Sequence, residues 1–509
     1  MSKLSILLVI TLFFLSTLMA GCMIHQSQDA ANPSGIARSP LDVRIDADSL
    51  SYPAMDQAKF TAVVSGGDSD YSYIWDFDAA DGYDVDGIEP VVQHIYPIPG
   101  QYNISLRVAD SSGAFGDATA TIDVKAREYA IQKPIEIQNL VSPPDRPYVI
   151  DGYDISNPDG NGITLRHCEN IIIRNCHIHD CTSDYDQDSR AIFAEGCSNL
   201  TIQNVSLKNN KRGILVEGFP DRLSSDILVE NSVVAGSERE DGISFRNVED
   251  VEVRGNILYD NGRIWEDRIS GISFNGVFRH ISAHDNLVVN SNSDGIELMG
   301  ETERETPTDI EVYDNIVRNN GEQGVWLSRV QKGRIHHNYI EGSHHNGVCL
   351  ERLISGIRID HNFIIRCGGT PEMEHYGGAA VGIQYSRDNI IQYNILVDSS
   401  CGDVSISGPG KADEGWMKKM DSGFRQSAKN VVDSNVMCSS EVNISIADGV
   451  SATSITNNVV WQRGNGRHYH GCHPDKSNIR AKPLFRAQER GDFSLLSNSP
   501  GYGNIDLKR

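Results

Sequence analysis

Basic residues are scarce in this sequence. Among its 509 residues, Lys and Arg number 45 and Asp and Glu number 69, which gives a formal net charge of −24 at pH 7. Nucleic-acid binding generally requires a basic surface, so the composition argues against a nucleic-acid partner. An acidic exterior also repels bulk polyanions, and an anionic substrate would therefore need a local basic cleft.

Cysteine pairs of the zinc-binding type are also missing. None of the ten cysteines stands in a CxxC pair, which argues against a cysteine zinc site. Apart from Cys22 at the N terminus, nine cysteines remain, so at least one thiol stays free if the others pair. Cys168 and Cys197 occupy matching positions one repeat apart, where strands ~4.8 Å apart permit either a disulfide or a simple stack.

The apolar segment at the N terminus is short for a membrane-spanning helix. Lys3 precedes the apolar run 4–19, and small residues follow up to Cys22. This order resembles a bacterial lipoprotein signal, which implies cleavage before Cys22 and a lipid on its thiol; an uncleaved anchor helix is the alternative. We therefore predict a signal peptide over 1–21 and a polar tether over 22–40. The protein is expected to be exported and lipid-anchored to the bacterial cell envelope, on its outward or periplasmic face, with membrane contact through the lipid only.

Residues 41–126 alternate apolar and polar side chains as the strands of a β-sandwich do. Trp75 is expected to anchor the core, and the segment 104–108 turns alternate side chains inward. The domain resembles PKD domains in two blocks, a Trp-Asp-Phe run at Trp75 and a Tyr-x-x-Pro-Gly-x-Tyr pattern over 96–102. The resemblance implies an Ig-like β-sandwich that serves as a spacer or a weak polysaccharide binder.

A group of carboxylates inside this domain is a candidate cation site. Asp78, Asp81, Asp84 and Asp86 lie close together in the chain, and carboxylate oxygens are ligands that Ca²⁺ prefers. The spacing differs from that of an EF-hand loop, and a solvated acidic turn is an equal alternative. Calcium is the one cofactor that the sequence suggests.

Residues 127–509 contain a repeat without a strict period. A Gly-Ile or similar pair opens each clear unit, and an alternating apolar run follows. Alternation predicts strands with one buried face, and strands of ~3–6 residues can bury that face only by stacking on neighbouring units. The pattern resembles the right-handed parallel β-helix of pectate-lyase-like proteins. We therefore predict an all-β protein in which the sandwich precedes a helix of about eleven coils with a C-terminal cap.

An Asn ends the alternating run of each unit. The Asn amide can bond to the backbone or to the Asn of the next coil, and Asn tolerates the left-handed turn conformation. We predict one column of stacked Asn side chains with a structural role. Its members are Asn175, Asn204, Asn231, Asn256, Asn286, Asn315, Asn338, Asn362 and Asn394, followed by Asn435 and Asn458.

The outward positions of the opening strands form the candidate site. Alternation turns Glu297 outward, as it does Trp326, whose ring could present a flat apolar face to a sugar. Glu297 and Glu351 lie two coils apart, or roughly 10 Å between backbones, a separation that suits an inverting acid/base pair. Scattered exposed charges are the alternative interpretation, because such faces are often charged.

The same face carries groups that suit a second reaction. Arg329 and Arg352 could neutralise a uronate carboxylate. His345 could then act as the general base and Tyr376 as the proton donor of a β-elimination. Further candidates for contact with the substrate are Arg246 and Asp294, and Asp241 enters the face from a preceding loop.

The β-helix scaffold hosts hydrolases, lyases, epimerases and adhesins, so the resemblance leaves the activity open. The Asp-Pro-His-Glu/Asp run of mannuronan epimerases, the catalytic blocks of polygalacturonases and the Trp-Ile-Asp-His run of pectate lyases are absent. We expect a surface-anchored protein that acts on an extracellular polysaccharide, first as a lyase on a uronate-containing glycan. A glycoside hydrolase that uses Glu297, Glu351 or Asp294 is the second expectation, and a non-catalytic glycan-binding or adhesion protein is the third.

Overall fold

The computed structural model describes most of the chain beyond the N-terminal segment. The described residues are 41–79, 84–183, 189–262, 269–300, 306–369, 378–407, 427–439 and 441–503. The predicted signal peptide and tether, with Cys22, lie outside them. Pro40–Arg509 forms one compact unit. Within the described ranges the regular structure is strand, apart from the 3-10 turn Gln488–Arg490, and no helix there is long and apolar enough to cross a membrane.

The N-terminal part is the predicted β-sandwich, built from one three-stranded and one four-stranded sheet. Trp75 lies fully buried between Phe60 and Phe77, and its Nε1 donates to Glu89 O at 2.8 Å. Its role as the core anchor is thereby confirmed. The strands are Asp42–Ala47, Ser51–Pro53, Gln57–Ser65, Ser72–Asp76, Val91–Ile95, Gly100–Ala109 and Phe115–Lys125.

A parallel β-helix follows, in which most turns contribute one strand to each of three parallel sheets. The predicted stack of about eleven coils is confirmed. Sheet 1 contains the strands that open the repeats. They are Ile135–Gln138, Ile163–Arg166, Ile192–Glu195, Ile214–Glu217, Ile243–Arg254, Ile272–His284, Ile296–Gly300, Val325–Ser328, Val348–Glu351, Val381–Gln384, Val404–Ser407, Val442–Ile446 and Arg467–His470.

Sheet 2 continues from sheet 1, because Ile243–Arg254 and Ile272–His284 run through both. Its other strands are Tyr148–Asp151, Glu169–Arg174, Ser198–Gln203, Ser224–Glu230, Thr308–Tyr313, Gln331–His336, Ser355–Asp360, Ile390–Gln392, Val431–Asp433 and Ser454–Thr456. Sheet 3 closes each turn. Its strands are Ala130–Gln132, Tyr153–Ser156, His177–His179, Ser206–Lys208, Val233–Ala235, Ile257–Tyr259, Leu287–Val289, Ile316–Arg318, Tyr339–Glu341, Phe363–Ile365, Ile395–Val397, Val436–Ser439, Val459–Gln462 and Ile479–Arg480.

Inward Ile, Val and Leu side chains from the three sheets form one continuous core along the helix. Glycine opens many coils because the next coil and sheet 3 approach closely at that point. A Cβ on Gly295 would lie 2.4 Å from Val317 Cγ1 and 2.6 Å from Gly324 O. These distances are shorter than van der Waals contact, so any side chain there would push neighbouring coils apart.

The predicted Asn column proves to be two columns that are one residue out of register. Asn175, Asn204 and Asn231 stand at a left-handed corner with φ near +50°. The internal ladder begins one position later in its coil, at Asn256, and continues through the buried Asn of successive coils to Asn478. Two properties favour Asn: it tolerates the left-handed backbone conformation, and its side-chain amide can stack on that of the next coil. In this structure the two properties act at adjacent positions.

The sandwich packs against the outer face of sheet 3. Met55 and Ile95 of the sandwich contact Val233, and Gln57 Nε2 donates to Asn231 Oδ1 at 3.0 Å. Arg318 of sheet 3 reaches back into the sandwich. This docking does not fit a free spacer, because burial of both apolar and charged groups holds the sandwich on the helix.

The C-terminal tail forms a hairpin, Phe485–Ala487 and Asp492–Leu495, on the same side. Phe493 packs on sheet 3, and Arg486 binds Asp70 of the sandwich with an Nη2 to Oδ2 distance of 2.9 Å. The described part of the predicted cap thus covers the outer face of sheet 3 and the sandwich. A cavity of about 510 Å³ lies in this seam, with the Arg486–Asp70 pair in its wall.

All nine described cysteines are free thiols. Cys168 and Cys197 stack in neighbouring coils without a disulfide, which selects the simple stack from the two predicted alternatives. Burial raises the pKa of the Cys197 thiol to about 12. A thiol with so high a pKa stays protonated and unreactive at neutral pH.

Candidate functional site

The outward positions of sheet 1 carry most of the sequence-predicted site residues. They occupy the successive strands from Ile243–Arg254 to Val348–Glu351 and the corners on either side of them. We call this surface the candidate face. Its members are Asp241, Ser244, Arg246, Ser270, Ser273, Glu297, Trp326, Arg329, Glu351 and Arg352.

Strand register places the two predicted glutamates in different outward columns. Glu297 stands opposite Trp326 of the next coil, and Trp326 stands opposite Cys349. Glu351 belongs to the adjacent column, where it stands opposite Ser328. The two carboxylates therefore share a face and are two coils apart, as predicted, but they are offset by two residues along the strand.

The expectation of an open aromatic platform at Trp326 is wrong. Trp326 is only 8% exposed, and its indole Nε1 donates to Glu351 Oε2 at 3.2 Å. Glu351 is held on its other oxygen by Arg352 Nε at 2.9 Å. The tryptophan thus orients a carboxylate that already has a cationic partner, and its ring face is not available for stacking on a sugar.

Arg329 and Arg352 form a small basic spot beside Glu351. Both residues occupy the left-handed corner after their strands, with φ of 55° and 65°. Burial and the nearby Arg352 guanidinium lower the pKa of Arg329, while Glu351 opposes the change. Two guanidiniums and one carboxylate leave a local positive charge on this otherwise acidic protein, which suits an anionic ligand.

The carboxyl group of Asp241 is the feature that sequence analysis undervalued. Its Oδ1 accepts from Ser270 N at 2.7 Å, and its Oδ2 accepts from Ser273 Oγ. Burial raises the pKa of Asp241 to about 6, although these hydrogen bonds favour the ionised form. Ser270 Oγ donates in turn to Glu297 Oε2 at 2.8 Å. One serine therefore joins two half-buried carboxyl groups.

The signal for Asp241 was its place directly before the coil-opening Gly242. Residues at that position form a second ladder, in which a side-chain oxygen accepts a backbone N–H from the next coil. Asp294 Oδ1 accepts from Gln323 N at 2.8 Å, and Gln323 Oε1 accepts from Asn346 N at 2.8 Å. Asp294 is 3% exposed, so it is placed as a rung of this ladder and not on the open surface.

His345 is also placed below the surface. His345 is only 7% exposed, and its Nδ1 lies 3.4 Å from Gln323 Nε2. A general base must reach the proton that it removes, and this packing does not present the imidazole on the open face. Tyr376, its predicted partner in elimination, lies outside the described residues.

Arg246 lies on the candidate face but far from the basic spot. It is exposed and occupies the same outward column as Glu351, four coils earlier, or ~19 Å away. It shares its strand with Ser244 and follows Asp241 closely in the chain. Any contact of Arg246 with a ligand would therefore be at the Asp241 end of the face.

The candidate calcium residues take part in the contact between sandwich and helix. Asp84 and Asp86 each place an Oδ1 at 3.0 Å from a nitrogen of Arg318, whose side chain is 7% exposed. Asp78, a few residues earlier in the chain, is half-buried. Asp81 lies outside the described residues. Two of these carboxylates already share one guanidinium as their partner, so this arrangement does not fit a calcium site.

Comparisons with family models agree with this architecture. A PKD domain model matches residues 42–125, and a model described as a right handed beta helix region matches 140–266. A third model, described as periplasmic copper-binding protein (NosD), matches 235–420. The chain is therefore a PKD domain followed by a right-handed parallel β-helix, while no single model spans half of it.

Solved structures similar to this chain include two epimerases and a lacto-N-biosidase. The A-module of mannuronan C-5 epimerase AlgE4 from Azotobacter vinelandii is 14% identical, with a TM-score of 0.41, and the match covers 69% of this chain and 91% of that one. The periplasmic alginate epimerase AlgG is 13% identical, with a TM-score of 0.44 and coverage of 73% and 87%. A GH136 lacto-N-biosidase from Eubacterium ramulus is 13% identical, with a TM-score of 0.40 and coverage of 70% and 61%. No curated protein matches the chain.

Proposed function

We propose that this protein is a polysaccharide-active enzyme that binds a uronate-containing glycan along the candidate face. The reaction centre is the carboxyl pair Asp241 and Glu297, and the basic spot at Arg329 and Arg352 holds a carboxylate of the glycan. The single observation that carries the proposal is the link through Ser270 between the carboxyl group of Asp241, whose pKa burial raises to about 6, and the half-buried carboxyl group of Glu297.

Acid–base cleavage of a glycan needs one carboxyl group that holds a proton and one that does not. Asp241 supplies the first, because burial disfavours its charged form. Glu297 is half-buried on an outward strand position and accepts a hydrogen bond from Ser270 Oγ. Such a hydrogen bond stabilises the ionised form of a carboxyl group, which is the form required of a general base.

In hydrolysis, Asp241 would give its proton to the glycosidic oxygen as the bond from that oxygen to the anomeric carbon breaks. Glu297 would take a proton from the water that attacks the anomeric carbon, so the proton lost by one carboxyl group is gained by the other. This is the division of roles in an inverting glycosidase. The arginines would position the sugar and would take no part in proton transfer.

β-Elimination is the second candidate reaction, and the basic spot is the observation that favours it. Charge neutralisation of a uronate carboxylate makes the proton on the adjacent carbon easier to remove. Glu297 would then abstract that proton, the bond to the glycosidic oxygen at the next carbon would break, and Asp241 would protonate the departing oxygen. The product would contain a carbon–carbon double bond conjugated with the carboxylate.

The test is incubation of residues 40–509 with a panel of uronate and neutral polysaccharides. Ultraviolet absorbance of unsaturated uronides and formation of reducing ends are followed together. Reducing ends without absorbance indicate hydrolysis, and both signals together indicate elimination. Glycan binding with neither signal would replace the enzyme by a non-catalytic glycan-binding or adhesion protein.

Two variants and a matched control connect the activity to the carboxyl pair. Asp241→Asn and Glu297→Gln are each expected to lower turnover by ~10²–10⁴-fold, the usual contribution of general acid–base catalysis. Glu136→Gln is the control, because Glu136 is an exposed glutamate at the same column of sheet 1. Equal activity in all three variants would remove this site from the mechanism.

A further inference from the structure

Three metal-ligand side chains meet on the outer side of sheet 3, well separated from the candidate face. Asp154 and His177 are register partners in neighbouring coils, and His179 follows His177 on the same side of its strand. One ligand atom from each residue lies within 4.8 Å of the other two, and all three side chains are half-buried. We propose that Asp154, His177 and His179 bind a divalent transition-metal ion, Zn²⁺ or Cu²⁺.

The orientation of His179 is set by a second carboxylate. Asp180 Oδ2 lies 2.7 Å from His179 Nδ1, and a proton on Nδ1 would satisfy that contact. The other ring nitrogen, Nε2, faces Asp154 Oδ1 at 3.2 Å. A carboxylate that holds the far nitrogen of a histidine is the usual outer partner of a histidine metal ligand, because it fixes the tautomer and the ring direction.

Asp154 Oδ1 is a buried oxygen without a hydrogen-bond partner. A carboxylate oxygen and the lone pair of a neutral imidazole nitrogen repel each other when they face at 3.2 Å. The contact becomes favourable only if a proton or a cation lies between them. A metal ion at ~2.0–2.2 Å from both atoms would satisfy the buried oxygen and the imidazole together.

His177 supplies the second nitrogen. Its ring stacks on that of His179 with centroids 4.8 Å apart. Two imidazoles and one carboxylate form a set that suits Zn²⁺ or Cu²⁺ better than Ca²⁺ or Mg²⁺, which prefer oxygen ligands. This cluster lies outside the 235–420 segment that matches the copper-binding family model.

Lys208 is a cation beside this site along sheet 3. It is the register partner of His179 in the next coil, so its positive charge lies beside the proposed metal ligands. A metal ion would be repelled by the same charge. Replacement of Lys208 is therefore expected to tighten metal binding, a result that a purely structural histidine pair would not produce.

The experiment is calorimetric titration of chelator-treated protein with ZnSO₄ and, separately, with CuSO₄. We expect one equivalent to bind and the melting temperature to rise with metal concentration. His177→Gln and His179→Gln should abolish that equivalent, and Lys208→Gln should lower its dissociation constant. His280→Gln is the matched control, because His280 pairs with one carboxylate, Asp250, on sheet 2; its binding should equal that of the unaltered protein.

A spectroscopic measurement guards against variants that fail to fold. The Cu²⁺-treated protein should show electron paramagnetic resonance features of two coordinated imidazole nitrogens, and either histidine variant with an unchanged circular dichroism spectrum should lose these features. Absence of a bound equivalent in the unaltered protein would overturn the proposal. Binding that survives both histidine variants, or that is weakened equally by His280→Gln, would also overturn it. A loss of stability in His179→Gln with no metal effect would identify a simple ion pair with Asp154.

Discussion

The internal Asn ladder predicts a large and local loss of stability when one rung is removed. Asn338 is fully buried, and its Oδ1 accepts from both the backbone N and the Nδ2 of Asn315 at 3.0 Å. Its Nδ2 donates to Val312 O and to Asn362 Oδ1, each at 2.9 Å. Asn338→Ala leaves at least two buried polar groups without these partners. At about 1–3 kcal/mol for each, the free energy of unfolding should fall by about 2–6 kcal/mol.

Urea unfolding followed by circular dichroism measures the total loss, and amide hydrogen exchange locates it. The Asn315 amide should exchange faster than other core amides, because its acceptor is gone. Asn319→Ala is the control, since Asn319 is exposed at a left-handed corner with φ of 54° and should cost only about 1–2 kcal/mol of backbone strain. If both variants lose the same stability, or if the Asn315 amide stays protected, the ladder does not hold the coils together.

Three further outcomes can be measured. Activity that depends on protonated Asp241 should decline as the pH rises through about 6, because burial raises the pKa of that carboxyl group to this value; a rate that increases through pH 6 would contradict its role as the acid. Trp326→Phe removes the hydrogen bond to Glu351. Because the ring face of Trp326 is not available to a sugar in the unaltered protein, glycan affinity measured by calorimetry should change less than about tenfold. Arg318→Ala leaves two carboxylates of the sandwich without their buried partner and should destabilise the protein by about 3–5 kcal/mol in thermal or urea unfolding. Arg174→Ala, in an ion pair whose two side chains are each 40% exposed, should cost about 0–1 kcal/mol.

The coil architecture could be predicted from the sequence because it is encoded locally. Within each strand the side chains alternate, so Ile296 and Leu298 point inward and Glu297 points outward, as the burial of this strand confirms. The coil-opening glycines were equally informative, since a Cβ at Gly295 would meet the next coil. These features depend on a few consecutive residues and on a stacking partner of the same kind.

The position of Asn within the corner was harder to predict, because two physical demands favour the same residue type. Asn175 satisfies the left-handed conformation, and Asn256 satisfies the internal ladder one position later. In the chain the two positions differ by a single residue, and the repeat length varies from coil to coil. Only the stacked coils show which Asn has a neighbour above and below it.

The sequence did not predict the environments of Trp326 and of the charged residues. Trp326 was expected to lie open and instead donates a hydrogen bond to Glu351. Burial raises the pKa of Asp241 against the opposing effect of hydrogen bonds from neighbouring serines. Arg318 and Asp86 are remote in the chain and meet only because the sandwich docks on sheet 3. The sequence by itself determined the stacked-coil repeat and the direction of its side chains, because alternation and stacking are local. The tertiary structure decided which carboxyl groups are ionised, paired or buried, because desolvation and charge pairing depend on residues that are distant in the chain.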